Sequence, residues 1–200
     1  MAKQIKRCPW VSQNSLYEKY HDEEWGVPVY NDQKIFEFLV LESAQAGLSW
    51  LTILKKRENY REAFANFNPQ KVAKFTTRDF NRLIKNAGII RNKLKIKAAI
   101  NNAKLFLEIQ KEFGSFSAYM WSFVNNKIIY HKIKKTTDYP VKIKEAEDWA
   151  KDLKKRGFKF LGPTIVYAHM QAVGMVNDHS TNCFRDHTTE RATERERRST

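Results

Sequence analysis

The sequence predicts an all-α fold, and three observations carry that expectation. Apolar residues recur at helical spacing, most regularly at Leu94, Ile96, Ile100, Ala103 and Leu107. Ser, Asn, Asp or Thr stands before most of the periodic runs, and glycine closes several of them. Alternating apolar and polar stretches of the kind a half-buried strand needs are hard to find.

Taken in order, Asp32 is placed to cap a helix over 33–46, and Ser49 starts a second reaching about 67. Asn68-Pro69 sets a cap and a first-turn proline before a short helix over 70–75. Thr77 precedes a helix over 78–87, which Gly88 closes. The longest helix covers 92–113 and stops at Gly114, and Ser115 opens a short one through Trp121 and Phe123. Residues 124–142 show no clear period and read as a basic connector. A helix over 144–156 ends at Gly157, and Pro163 starts a last long helix that ends at Gly174.

Two hundred residues, 42% of them hydrophobic, suffice for one domain with a sizeable core. We place that domain at 1–184. Residues 185–200 carry five arginines, four acids and no aliphatic side chain larger than Ala192, so the tail is expected to be disordered. No run of eighteen apolar residues exists, so no membrane span is expected. The opening Met1-Ala2-Lys3-Gln4-Ile5-Lys6-Arg7 has no apolar core of a secretory signal, and two cysteines make no disulfide framework. A cytoplasmic location is therefore expected. The net charge of +14 suits a polyanionic partner, because each neutralised phosphate releases counterions, though it also serves solubility. Nothing asks for a protein partner, and a monomer is expected.

Several residues could carry chemistry. Cys8 and His21 have twelve residues between them near one end, and His179 and Cys183 have three between them near the other. Two thiolates and two imidazoles suit tetrahedral zinc, and a shared ion would pin the two ends together. Two free buried thiols fit the same spacing, and His131, His169 and His187 leave the ligand choice open. Glu42 shares a helical stripe with Ile35, Phe38, Leu39 and Ala46. A carboxylate there faces either a solvent edge, a helix N-terminus or a ligand. Trp10, Tyr17, Tyr20, Trp25 and Tyr30 cluster in sequence, which suits stacking on an extruded base or an ordinary core. Gly157 to Pro163 forms a tight turn between two helices, flanked by Lys154, Lys155, Arg156 and Lys159. Free amides at the second helix's start make a phosphate site, or the turn is simply a helical corner. A similar turn, Asn86-Ala87-Gly88-Ile89-Ile90-Arg91, lies upstream before Lys93, Lys95 and Lys97.

The order of those two turns resembles the helix–hairpin–helix DNA glycosylase superfamily. Four stretches narrow the resemblance to 3-methyladenine DNA glycosylase I: Cys8-Pro9-Trp10, HDEEWGVP from His21, LESAQAGLSWLTILKKRENY from Leu41, and GFKFLGPTIVYAHMQAVGMVNDH from Gly157, followed by Cys183. It covers the chain from about Cys8 to Cys183. The resemblance implies that Cys8, His21, His179 and Cys183 hold one structural zinc as a clasp between the chain ends. It implies that Glu42 hydrogen-bonds the methylated adenine, that Trp10 and Trp50 sandwich it, and that Tyr20 is a polar partner at the catalytic centre. Tyr17 and Trp25 match further pocket walls. The 157–164 hairpin, with Lys159, Leu161, Gly162 and Thr164, matches the anchor for phosphates of damaged double-stranded DNA. Asp178 lies a few residues earlier than the aspartate many superfamily members carry, and the 3-methyladenine family manages without one. The implied activity is hydrolysis of the N-glycosidic bond. A non-catalytic DNA-binding module is the alternative of another class, but it has no use for Glu42, Trp10 and Trp50, all of which are present. A glycosylase for another lesion needs different polar groups in its pocket.

Overall fold

A computed structural model describes residues 5–186. The tail expected at 185–200 therefore falls, from residue 187 onward, outside the described residues, as does His187. The helices are α1 (Ser15–Glu23), α2 (Asp32–Gln45), α3 (Trp50–Ala63), α4 (Pro69–Val72), α5 (Thr77–Lys85), α6 (Lys93–Phe113), α7 (Phe116–Ser122), α8 (Lys144–Lys155) and α9 (Pro163–Ala172). No described helix is long and apolar enough to cross a membrane.

Helix α2 is the axle. Every residue from Ile35 to Ala44 is buried, because α3, α6, α7 and α9 all pack against it. A helix that is covered all round has no polar face to spare. Its two interior carboxylates are handled differently. Glu37 accepts from Arg57 Nε at 2.8 Å and from Arg61 Nη2 at 3.0 Å, while Arg57 also grips Glu24 with both terminal nitrogens. This ion-pair group ties the end of α1 to α2 and α3. Glu42, one turn and a half further along, has no such partner.

Asp32 does not cap its own helix. Asn31 does, accepting from the Lys34 amide, and Asp32 reaches across to cap α7 instead. Its oxygens take the Phe116 and Ser117 amides at 2.8 Å each and the Gln110 side chain at 2.6 Å. That locks α7 onto α2 with Phe106 and Phe116 stacked at 4.0 Å beneath. The second helix stops at Ala63 rather than 67. Ala65, Asn66 and Phe67 turn left-handed, which drops Phe67 wholly into the core. Asn68 and Pro69 cap and open α4 as expected.

Two features escape a helical periodicity. Helix α1 holds few aliphatic residues, and its Leu16 is exposed. The connector 124–142 is not loose: β1 (Ile129–Tyr130) pairs in parallel with β2 (Val176–Asn177), with Ile129 opposite Val176 and a further bridge from Ile133 to Ser180. Pairing so short leaves no period to read. Between Val173 and Met175, Gly174 adopts φ +70°, and a Cβ there would lie 2.3 Å from the Val27 backbone. Only glycine lets the two strands of chain pass that closely.

His169 in α9 is fully buried, 5.6 Å from the Trp149 ring, and neither ring nitrogen has a well-formed hydrogen bond. Burial keeps it neutral, lowering its pKa to about 3 against a backbone contact with Phe38. The unfolded chain takes up that proton near the ordinary 6.5. The contribution is therefore full above pH 6.5 and is lost as pH falls toward 3, by roughly 5 kcal/mol in total. Urea denaturation from pH 7 to pH 4 is expected to show a shallower loss of stability for His169→Gln than for the native chain. Parallel curves would mean that His169 is not held neutral.

Candidate active site

Asn14 caps α1 by accepting from the Leu16 amide at 3.1 Å, and the helix then carries Tyr17, Tyr20 and His21 on its inner face. Tyr20 and His21 are buried. Ser49 caps α3, which brings Trp50 to the same place from the other side of the Ala46–Ser49 turn. Tyr17, Tyr20 and Trp50, together with Trp10, Trp25 and Glu42, line one cavity of about 220 Å³, while His21 faces away from it. All six residues expected to hold a base thus meet in one place. Tyr30 does not join them, since it lies exposed on Trp121. Gln45, Ala168 and Gln171 complete the lining. Sequence reasoning missed these three, although Ala168 and Gln171 share the face of α9 that leads from the hairpin.

The walls are rings in contact. Trp10 meets Tyr17 at 5.3 Å and Trp25 at 4.8 Å, while Trp50 meets Tyr20 at 5.3 Å. Glu42 is 4% exposed and among the described residues no hydrogen bond reaches its carboxyl. Burial alone pushes its pKa up to about 8. Burial likewise raises Tyr20, with the Glu42 charge adding to it, so its hydroxyl stays a donor. The cavity therefore offers ring faces, one protonated carboxyl at neutral pH and phenol donors.

Behind the rings, the ligand atoms of Cys8, His21, His179 and Cys183 all lie within 4.8 Å of one another, and all four residues are buried. Cys8 Sγ is 3.5 Å from His179 Nδ1, and Cys183 Sγ is 3.4 Å from His21 Nε2 and 3.5 Å from His179 Nδ1. A tetrahedral metal with bonds near 2.3 Å to sulfur and 2.0–2.1 Å to nitrogen sets such edges at about 3.6 Å. The other ring nitrogens are already oriented: His21 Nδ1 lies 2.8 Å from Asp22 Oδ1, and His179 Nε2 lies 3.1 Å from the Trp25 carbonyl. The amides of Ser180 and Arg185 point at the two sulfurs at 3.4 Å each. The group fits a tetrahedral ion with no position left for solvent. His131 and His169, the other described histidines, lie elsewhere. His131 pairs with Asp178 at 2.7 Å.

At the hairpin, α6 does the holding. Asn102 donates to the Lys159 carbonyl and accepts from its amide at 2.9 Å each, and Asn101 donates to the Gly157 carbonyl at 3.1 Å. Gly162 ends the turn and Pro163 opens α9. Gly162 and Thr164 are exposed, while Leu161 is buried and anchors the turn. Arg156 is not free for a ligand, because Glu112 and Asp152 occupy it.

Residues 10–186 match the family model for methyladenine glycosylase. The chain belongs to the methyladenine glycosylase family. It is 48% identical over 177 residues to the DNA-3-methyladenine glycosylase of Haemophilus influenzae, covering 88% of this chain and 96% of that one. A crystal structure of 3-methyladenine DNA glycosylase I superposes with a TM-score of 0.88 at 48% identity, covering 90% and 99% of the two chains. A variant of 3-methyladenine DNA glycosylase I crystallised with 3-methyladenine is 40% identical, with a TM-score of 0.87 and coverage of 90% and 97%.

In this family member the donor cluster and the pocket share a wall. Trp25 packs at 4.6 Å on His179, and Trp10 at 5.3 Å on His21. A Cβ on Gly26, at φ +77°, would lie 3.0 Å from His179 Nε2. A strong chelator at neutral pH is expected to lower the melting temperature and expose the N-terminal segment to protease, and Cys183→Ser should do so without chelator. Melting that neither treatment moves would show that the four side chains hold no ion.

Proposed function

We propose that this chain is a DNA repair enzyme that removes N3-methylated adenine by hydrolysing its glycosidic bond, leaving the free base and an abasic site. The observation that carries this is Glu42, a buried carboxyl without a protein partner at an aromatic cavity. Methylation at N3 gives the nucleotide a positive charge. Ring faces attract a cation, and a carboxyl whose proton is easily lost in that field balances it. The base leaves with the bonding electron pair and becomes neutral, so no acid has to protonate it. The sugar passes through an oxocarbenium-like state, water adds at C1′, and one proton goes to solvent. Among the described residues no lysine lines the cavity, which agrees with hydrolysis rather than a covalent amine intermediate. We assign Glu42 and Tyr20 to the base's polar edge, Trp10 and Trp50 to its faces, and Tyr17 and Trp25 to the walls.

The anchor for the duplex is the 157–164 hairpin. An added Cβ on Gly162 meets nothing inside the protein, so the fold itself leaves that position free of steric demand. A glycine there serves something that approaches from outside, and the first-turn amides after Pro163 suit a phosphate. Thr164 and the Lys159 side chain flank it. Leu48, exposed on the turn beside the cavity mouth, offers an apolar contact for the opened stack. The tetrahedral site we assign to zinc, held by Cys8, His21, His179 and Cys183. The metal joins the chain ends and takes no part in the chemistry. We further place the enzyme in the cytoplasm, acting as a monomer.

Incubation with methylated duplex DNA, with released bases identified by mass, is expected to give 3-methyladenine. Glu42→Gln should cut that release by about 10–100-fold, the loss of one charge-assisted hydrogen bond, while melting and undamaged-DNA affinity stay near native. A Gln variant as active as the native chain would make the carboxyl structural. Lys155→Glu with Lys159→Glu should weaken binding to all duplexes alike and lower the slope of log affinity against log salt by about 2. An unchanged slope would move the anchor to Lys93–Lys97.

A further inference from the structure

Asp178 has both oxygens engaged and is wholly buried. His131 Nδ1 meets Oδ1 at 2.7 Å, while the Tyr167 hydroxyl and Gln171 Nε2 donate to Oδ2, the latter at 2.6 Å. The carboxylate itself does not line the cavity. Gln171 does. A carboxylate accepts only, so the Gln171 nitrogen must face Asp178 and its carbonyl oxygen must point away. Among the described residues that oxygen has no hydrogen-bond donor, nor is it among the buried polar atoms that lack a partner. It is therefore an open acceptor at the cavity. Its electron density is raised because the other end of the amide donates to an anion.

Position along α9 says what it faces. Thr164, Ala168 and Gln171 lie at i, i+4 and i+7, one stripe of the helix, and each has some exposure where neighbouring residues 166, 167, 169 and 170 have none to speak of. The stripe starts at the proposed phosphate cradle and ends at the cavity, a rise of about 10 Å. Glu42 lines the same cavity from a different helix, α2, and in the proposed function takes the base. We propose that Gln171 is a catalytic residue on the sugar side of the pocket. Its carbonyl oxygen stabilises the positive charge that develops at C1′ and accepts one O–H of the attacking water. Asp178 is the positioning residue that fixes the amide's orientation. The water oxygen bonds to C1′ as the base leaves with the glycosidic pair, and the proton lost goes to solvent. This rests on the glycosylase function proposed above and adds a group to it.

The test is single-turnover release of 3-methyladenine from duplex DNA, set beside the affinity for free 3-methyladenine read from tryptophan fluorescence. Gln171→Met is expected to slow release about tenfold or more while base affinity stays within about twofold. Asp178→Asn should slow release similarly, because an amide at position 178 lets Gln171 turn its nitrogen to the cavity. When Gln171→Glu is combined with Asp178→Asn, the amide at 178 donates to the carboxylate at 171, whose other oxygen faces the cavity. That double variant should recover most of what Asp178→Asn loses, with bound metal and melting temperature measured for every variant. Native release by Gln171→Met, or a loss of base affinity equal to the loss of rate, would overturn the assignment. So would a double variant no faster than Asp178→Asn when both are folded and metal-loaded. If Asp178→Asn fails to fold, Gln171→Met decides alone. Failure of the native chain to release any base would instead remove the glycosylase function itself.

Discussion

A carboxyl buried without a counter-charge costs several kcal/mol in its ionised form, and the protein keeps one at residue 42. Helix α2 has no solvent side to which Glu42 could turn, because four helices cover it. The contrast with Glu37 on the same helix is informative. Glu37 meets two arginines and a lysine, so the fold supplies cations where the requirement is structural. At Glu42 it provides none, and the space beside the carboxyl is a cavity rather than packing. In the function proposed above, the cationic base supplies what the protein withholds.

The remaining architecture keeps that cavity open and correctly walled. Tyr17 and Tyr20 come with α1, Trp50 with α3, and Ala168 with Gln171 from α9. None of these elements is adjacent in sequence to all the others. The four-donor cluster closes the circuit by joining residue 8 to residues 179 and 183, and Trp10 and Trp25 rest directly on its imidazoles. The parallel pair of β1 and β2 adds a second tie, bringing His131 to Asp178 behind the pocket. The 157–164 turn and the pocket are joined by α9, a helix of ten residues that starts at the one and lines the other, and by α6, which bonds both the turn and the Ala44 and Ala46 carbonyls.

Much of this was legible in the chain. Gly114, Gly157 and Pro163 mark helix ends because their backbone freedom or constraint leaves few alternatives. Glu42 stands out because a charge on an apolar stripe needs a reason, and the motif resemblance groups Cys8, His21, His179 and Cys183, which the fold brings within 4.8 Å of one another. Other features could not be read locally. Asp32 looks like a cap for its own helix, and only the tertiary fold shows that it caps α7. Helix α1 is stabilised by burying Tyr20 and His21, not by its own periodicity. Gln171 is one polar residue on a mostly apolar helix. Its meaning depends on Asp178, seven residues further on, and on a cavity that no single segment defines.

The ionisation of Glu42 tests the central claim most directly. Carbon-13 labelling of the glutamate carboxyls, assigned by comparison with Glu42→Gln, would follow that group through pH. The free protein is expected to show a Glu42 midpoint near 8, and binding to duplex DNA carrying an uncleavable N3-methylated adenine should drive the carboxyl to its ionised form at neutral pH. A midpoint at the ordinary 4.5, unmoved by the cationic base, would contradict the idea that this side chain is held uncharged until the lesion arrives.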